Sequence, residues 1–349
     1  MKILVIFTGG TIGSTKSDGF ISPSGKSKRT LIENYRRIYC KTEVENIDFD
    51  FLEPYSILSE NLTAKELNLL IETVRAVLND NKEDGKTGKY DGIIITHGTD
   101  TIQYSAAALG YAFYGARIPI ALVSAAYPLD DKRSNGVINF AAAVEFIREV
   151  GCGGVFVSYK NAEDDFVSIH YALRTFLHNE NDDAIRSIGG TLAAKFCGGR
   201  ILCGADFKKT ESEERRSGIF FTLCEKSNIK VVSPVVGADF SDIDPKNKSA
   251  VIIRPYHSGT TGDISGIKRL CRRAKEQNVP VFLVNLKESV RYESTREFEN
   301  AGLTILPEAA FCAIYMKAWI AQSLNEDVEE FVKTPIGNEF VLTKSKEKM

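Results

Sequence analysis

The sequence has little that would tie it to a membrane, an oxidising compartment, a metal or a polyanion. No apolar run approaches the ~20 residues that a membrane-spanning helix needs. Its 44 Lys and Arg stand against 46 Asp and Glu, a formal net charge of -2, so no basic field speaks for nucleic acid or an anionic surface. Seven cysteines are scattered without CxxC spacing. An odd number argues against a closed disulfide framework, and they read as free thiols in a reducing cytosol. Met1-Lys2 leads straight into an apolar block, without the charged, apolar and small-residue succession of a signal peptide; a cytoplasmic protein is expected. Histidines number four, and His170, His178 and His257 have no Cys or acidic neighbours at metal spacing. Neither GxGxxG nor GxxxxGK[ST] occurs. No metal and no cofactor are expected.

What the sequence does have is apolar strands that end in hydroxyl-rich loops. Ile3-Leu4-Val5-Ile6-Phe7 is hydrophobic at every position, as suits a strand buried on both faces of a parallel sheet. It runs into Thr8-Gly9-Gly10-Thr11-Ile12-Gly13, where two glycines admit backbone conformations that a Cβ forbids. The pattern repeats at Gly92-Ile93-Ile94-Ile95, followed by Thr96-His97-Gly98-Thr99-Asp100-Thr101 and an Ala- and Leu-rich helix expected over 102–114. Either turn alone is a common small-residue motif. Two such strand ends in one sheet point to a binding crevice outside the carboxyl ends of the strands.

The two blocks together resemble the bacterial-type L-asparaginases, whose signatures are a TGGTI turn and an HGTDT loop. The resemblance implies hydrolysis of a side-chain amide through an acyl-threonine. Thr11 is then the nucleophile, and Thr99 handles water and proton in deacylation. Asp100 binds the substrate ammonium and orients Thr99. Gly10, Gly98 and Ala125 join Ser59 and Glu60 in binding substrate; in Ser59-Glu60-Asn61 the carboxylate suits an ammonium group. His97 is expected to orient its loop rather than act as a base. Thr63 and Glu66 read independently as a capping box for a helix over 67–78.

Three positions depart from the family pattern. The segment 14–30, rich in Ser, Lys and Gly, reads as an exposed loop and candidate lid. There Phe20 stands where a tyrosine binds the nucleophile, so the ring is kept without its hydroxyl. Asn135 replaces a usual aspartate. Arg174 aligns with a catalytic lysine that pairs with the aspartate of HGTDT, but an arginine is a poor proton acceptor. An Arg174–Asp100 pair is therefore as readily structural as catalytic.

Strands at 120–123 and 153–157, alternating with helices, argue for βαβ units and a parallel sheet. The mixed charge run Lys208 to Arg216 reads as a solvated linker. Beyond it the rhythm resumes at Ile229-Lys230-Val231-Val232, Ala250-Val251-Ile252-Ile253 and 279–285, with a helix over 308–324; the tail 344–349 is expected to fray. The expected fold is α/β. A larger N-terminal flavodoxin- or Rossmann-like domain (1–205) with a mostly parallel sheet is followed by a linker (206–217) and a smaller C-terminal α/β domain (218–349).

Two functions follow from the resemblance. One is an L-asparaginase acting on asparagine, or on glutamine or another small amide. The other is a related protein that binds an amino acid as a sensor or regulatory subunit with little turnover, which the three departures favour. A third, the asparaginase-like subunit of a tRNA-dependent amidotransferase, fits less well, because that subunit carries an extra domain before its TGGTI turn. Partners are expected to be a small amino-acid amide and further copies of the chain in a homodimer or homotetramer, with no nucleic acid and no membrane.

Overall fold

The computed structural model describes residues 1–17, 20–23, 26–39, 47–80, 88–176, 183–204, 207, 218–284 and 292–341. The expected linker, apart from Phe207, lies outside them, as do His178 and the tail 344–349. The chain divides into two compact units, Met1–Phe220 and Phe221–Met349.

In the first unit the elements run β1 (Lys2–Phe7), β2 (Ser14–Ser17), β3 (Phe20–Pro23), α1 (Lys26–Tyr39), β4 (Asp48–Leu52), α2 (Ala64–Asp80), β5 (Gly92–Thr96), α3 (Ile102–Ala112), β6 (Pro119–Val123), α4 (Gly136–Glu149) and β7 (Gly154–Tyr159). They continue as β8 (Val167–Tyr171), β9 (Thr175–Phe176), β10 (Arg186–Ser187), β11 (Leu192–Cys197) and β12 (Arg200–Cys203). The main sheet has the order β12-β11-β8-β7-β6-β5-β1-β4. Strands β4 to β7 and β1 are parallel, with Phe7 beside Thr96 and Thr96 beside Val123. Strands β8, β11 and β12 extend the sheet antiparallel.

The parallel part has the flavodoxin-like order. From β1 the chain moves out to β4, then crosses to β5 on the other side, which opens a crevice at the carboxyl ends of β1 and β5. Alternation along the strands sends Ile3, Val5, Phe7, Ile94, Ala121 and Val123 to one face. There they pack with Leu31, Ile32 and Tyr35 of α1 and Phe140 and Val144 of α4. The expected loop at 14–30 is instead a hairpin, with Ser17 opposite Phe20 and Ser14 opposite Pro23, followed by the start of α1.

The second unit holds β13 (Ile229–Val232), β14 (Ala250–Ile253), α5 (Ile264–Glu276), β15 (Val281–Leu283), α6 (Glu293–Asn300), β16 (Thr304–Ile305), α7 (Phe311–Leu324) and α8 (Val328–Lys333). Its four strands form a parallel sheet in sequential order. Val251, Ile253, Val281 and Leu283 pack under Ile267 and Leu270 of α5 and Phe298 of α6. Helix α7 carries a fully buried Lys317, answered by Glu339 at 2.6 Å and by the carbonyl of Thr334 at 2.6 Å. Among the described residues no helix is long and apolar enough to cross a membrane.

Candidate active site

Strand β1 ends at the crevice, and its next residue ties the two central strands together. Thr8 is buried, and its hydroxyl donates to the carbonyl of Thr96 at 2.6 Å. Gly9 and Gly10 then take φ of 101° and 74°, the left-handed region where a side chain is strained. The N–H of Ile57 donates to Thr8 O at 3.1 Å and that of Gly10 to Ile57 O at 3.0 Å, which clamps the segment after β4 against the turn. A Cβ on Gly10 would stand 2.3 Å from Gly98 N, and one on Gly98 would stand 2.4 Å from Ser59 Oγ. Three loops thus meet here, Gly10 against the backbone of Gly98 and Gly98 against the side chain of Ser59, which only glycine at the first two positions permits.

Thr11 opens the 3-10 turn Thr11–Gly13, held by Gly13 N donating to Gly10 O at 3.0 Å. Ile12 is driven into the core beneath, which leaves Thr11 half-buried above it. The Thr11 hydroxyl has no hydrogen-bond partner among the described residues. A Cβ on Gly136, at the start of α4, would lie 3.0 Å from Ala125 Cβ and 3.3 Å from Ile12 Cγ1, so Ala125 lies beside this turn.

In the second loop His97 is 2% exposed. Its Nδ1 faces the carbonyl of Gly98 at 2.8 Å, and Nε2 faces the Ser105 hydroxyl at 2.8 Å. A carbonyl only accepts, so Nδ1 carries the proton and Nε2 accepts from Ser105. Burial pushes the imidazole down to about 4. His97 is therefore a neutral strut whose two nitrogens are both committed, and its side chain orients the loop. Thr99 is half-buried, whereas Asp100 and Glu60 are exposed. The N–H groups of Asp100 and Thr101 meet no acceptor among the described residues. Thr101 is the N-cap of α3 but does not cap it, because its hydroxyl donates to Ser59 O at 2.8 Å. The Thr63 and Glu66 cap forms as expected, with Thr63 N donating to the Glu66 carboxylate at 3.2 Å.

Two asparagines lace the strand ends together. Asn139 donates to Ser124 O at 2.9 Å and accepts from Lys160 N at 2.8 Å. Asn135 accepts from Ala126 N at 2.8 Å and donates to Lys160 O at 2.8 Å. The second bond needs a donor, which an aspartate at 135 would lack when ionised. The departure at Asn135 thus has a structural reason, and Lys160 serves the site region through its main chain.

Arg174 closes the 3-10 turn Ala172–Arg174 after β8 and is half-buried. Leu173 of that turn abuts α3 at Gly110, about 12 Å down the helix axis from its first residue at 1.5 Å per residue. Among the described residues no ion pair joins Arg174 to Asp100. Phe20 begins β3 opposite Ser17. Sequence reasoning missed Asn139 and Gln103, the latter donating to Asp100 O at 2.9 Å; its signal is a lone amide among the apolar residues that open α3.

The model of the asparaginase N-terminal region matches residues 2–216. The chain is 26% identical over 355 residues to a glutamyl-tRNA(Gln) amidotransferase subunit of Pyrobaculum aerophilum, covering 97% of this chain and 79% of that protein. The corresponding amidotransferase subunit of Methanosphaera stadtmanae is 23% identical over 361 residues, covering 99% and 78%. In fold, the chain matches the thermostable L-asparaginase of Thermococcus kodakarensis with a TM-score of 0.75 at 20% identity, over 98% of this chain and 100% of that one. It matches L-asparaginase I of Vibrio cholerae with a TM-score of 0.75 at 22% identity, over 98% and 99%. With the family model covering most of the chain and the fold agreeing end to end, this protein belongs to the asparaginase family.

Proposed function

We propose that the chain is an amidohydrolase that cleaves the side-chain amide of a small amino acid, L-asparagine foremost, to the acid and ammonia through an acyl-threonine. The observation that carries this reading is the meeting of Gly10, Gly98 and Ser59 at the carboxyl ends of β1 and β5, next to Thr11, whose hydroxyl has no partner among the described residues. A threonine hydroxyl is a weak nucleophile and depends on oriented donors around it. The open N–H groups of Asp100 and Thr101 are candidates to hold the developing oxyanion or the α-carboxylate, each well-placed donor being worth about 3–4 kcal/mol. Thr11 attacks the amide carbon, Thr99 delivers water, and Asp100, Ser59 and Glu60 hold the ammonium and carboxylate ends.

A second reading, binding of an amino acid with little turnover, is favoured by the place of Arg174, whose turn packs against α3 at Gly110 rather than at the loop before that helix. The relatives named as glutamyl-tRNA(Gln) amidotransferase subunits favour a variant in which the same site serves an amidotransferase.

Ammonia release from L-asparagine and L-glutamine by the purified protein, with Thr11→Ala beside it, decides between them. Release that vanishes in the variant is the expected result. Release that survives Thr11→Ala removes the threonine mechanism, and saturable asparagine binding without release selects the second reading.

A further inference from the structure

Gln103 lies in the first turn of α3 and is 1% exposed. Its Nε2 donates to the main-chain carbonyl of Asp100 at 2.9 Å. A carbonyl only accepts, so this bond fixes which end of the amide faces the loop. Oε1 is then left buried with no donor among the described residues, a state that native interiors seldom hold without a use. In a trans peptide the N–H points opposite to the C=O. Drawing Asp100 O toward α3 therefore turns the N–H of Thr101 away from Gln103, and that N–H meets no acceptor among the described residues. The hydroxyl of Thr101 is engaged elsewhere, with Ser59 O at 2.8 Å.

The geometry points to Gln103 as a positioning residue of the amide-hydrolysing site: its bond to Asp100 O sets the plane of the Asp100–Thr101 peptide, and so aims the Asp100 carboxylate and the open N–H beside it. The inference rests on the amidohydrolase reading, because Gln103 acts on substrate only through Asp100 and Thr101. It adds a side chain that the nucleophile-and-loop description leaves out. It also assigns the cost of the orphaned Oε1 to holding one conformation of a loop whose Gly98 has no side chain to hold it.

The test compares wild type, Gln103→Glu and Gln103→Met between pH 5 and pH 8. At pH 8 the ionised Glu cannot donate to Asp100 O, and kcat/KM for L-asparagine falls about tenfold, as for loss of one buried hydrogen bond. As the pH falls the protonated carboxyl regains a donor, and the ratio of Gln103→Glu to wild type climbs back toward one. Gln103→Met keeps the shape, cannot donate at any pH, and shows a similar loss throughout. A Gln103→Met enzyme with wild-type kinetics overturns the inference.

Hydrogen exchange of the segment 97–105 needs no substrate and keeps the two readings apart. Faster exchange in Gln103→Met than in wild type is expected, and equal exchange overturns the clamp. Wild-type protein that releases no ammonia while this exchange difference is present sinks the amidohydrolase reading and leaves the clamp standing.

Discussion

Replacing Gly10 by alanine tests whether the contact of the two loops makes the site. The added Cβ would lie 2.3 Å from Gly98 N and 2.5 Å from Gly98 Cα, both backbone atoms, at a φ of 74°. An ordinary contact starts near 3.4 Å, so the two loops must part by about 1 Å. Neither can retreat freely, since Gly10 N is bonded to Ile57 O at 3.0 Å and His97 N to Val123 O at 2.9 Å. The left-handed backbone costs an L-residue about 1–2 kcal/mol, and overpacking adds about 1–3 kcal/mol. A loss of roughly 2–5 kcal/mol is expected in denaturant unfolding. A displacement near 1 Å at reacting groups costs about a hundredfold in rate, so kcat/KM for L-asparagine should fall at least that far in protein that still folds. Gly13, three residues on, is the control: its φ is not positive and a Cβ there meets nothing within 4 Å among the described residues. Gly13→Ala should stay within about 1 kcal/mol of wild type and keep its activity. Gly10→Ala within threefold of wild-type kcat/KM, or equal damage from both changes, would refute the reasoning.

Two further outcomes concern stability. Burial pushes His97 down to about 4 and His170 down to about 3, so both stay neutral in the fold while the unfolded chain takes up protons below about 6.5. Stability therefore falls with falling pH, by roughly 4 kcal/mol for the pair between pH 7.5 and pH 5, and urea midpoints against pH check it: Ser105→Ala/His97→Gln should flatten the curve by about half, and an unchanged curve rejects the assignment. In the second unit Lys317 and Glu339 are both fully buried, and Glu339 also accepts from the N–H groups of Ile336 at 2.9 Å and Gly337 at 2.8 Å. Glu339→Leu, which strands a charge and two donors, should cost about 3–5 kcal/mol and exceed Lys317→Met in calorimetry; the reverse order would count against the network.

The strands that place the site were legible because a strand buried on both faces is an unbroken apolar run. Ile229–Val232 and Ala250–Ile253 form where expected, and the strands expected at 3–7, 92–95 and 120–123 extend by one residue. The antiparallel extension β8, β11 and β12 was not legible. β8 carries Ser168 and His170 among its five residues, β11 mixes buried and exposed positions, and Arg200–Cys203 is mostly exposed, so none of the three reads as an unbroken apolar run. Helix α1 and the hairpin before it hid in the same way inside a Ser-, Lys- and Gly-rich stretch, where cross-strand pairing rather than composition decides the structure. At the site, Gly10 and Gly98 were expected and lie together with Ser59, while Ala125 lies across Gly136 from Ile12; glycine at a close approach is a requirement of the backbone itself. Arg174 shows the opposite case. Its alignment depended on register through the antiparallel strands, and its neighbour Leu173 packs on α3 at Gly110. Asn135 was visible only as a substitution; its reason is a carbonyl 25 residues away that needs a donor. Local sequence can announce where backbone must come close. It cannot announce which distant carbonyl a side-chain amide will meet, and Asn135 and Asn139 meet carbonyls 25 and 15 residues away, whereas Gln103 meets one only three residues back.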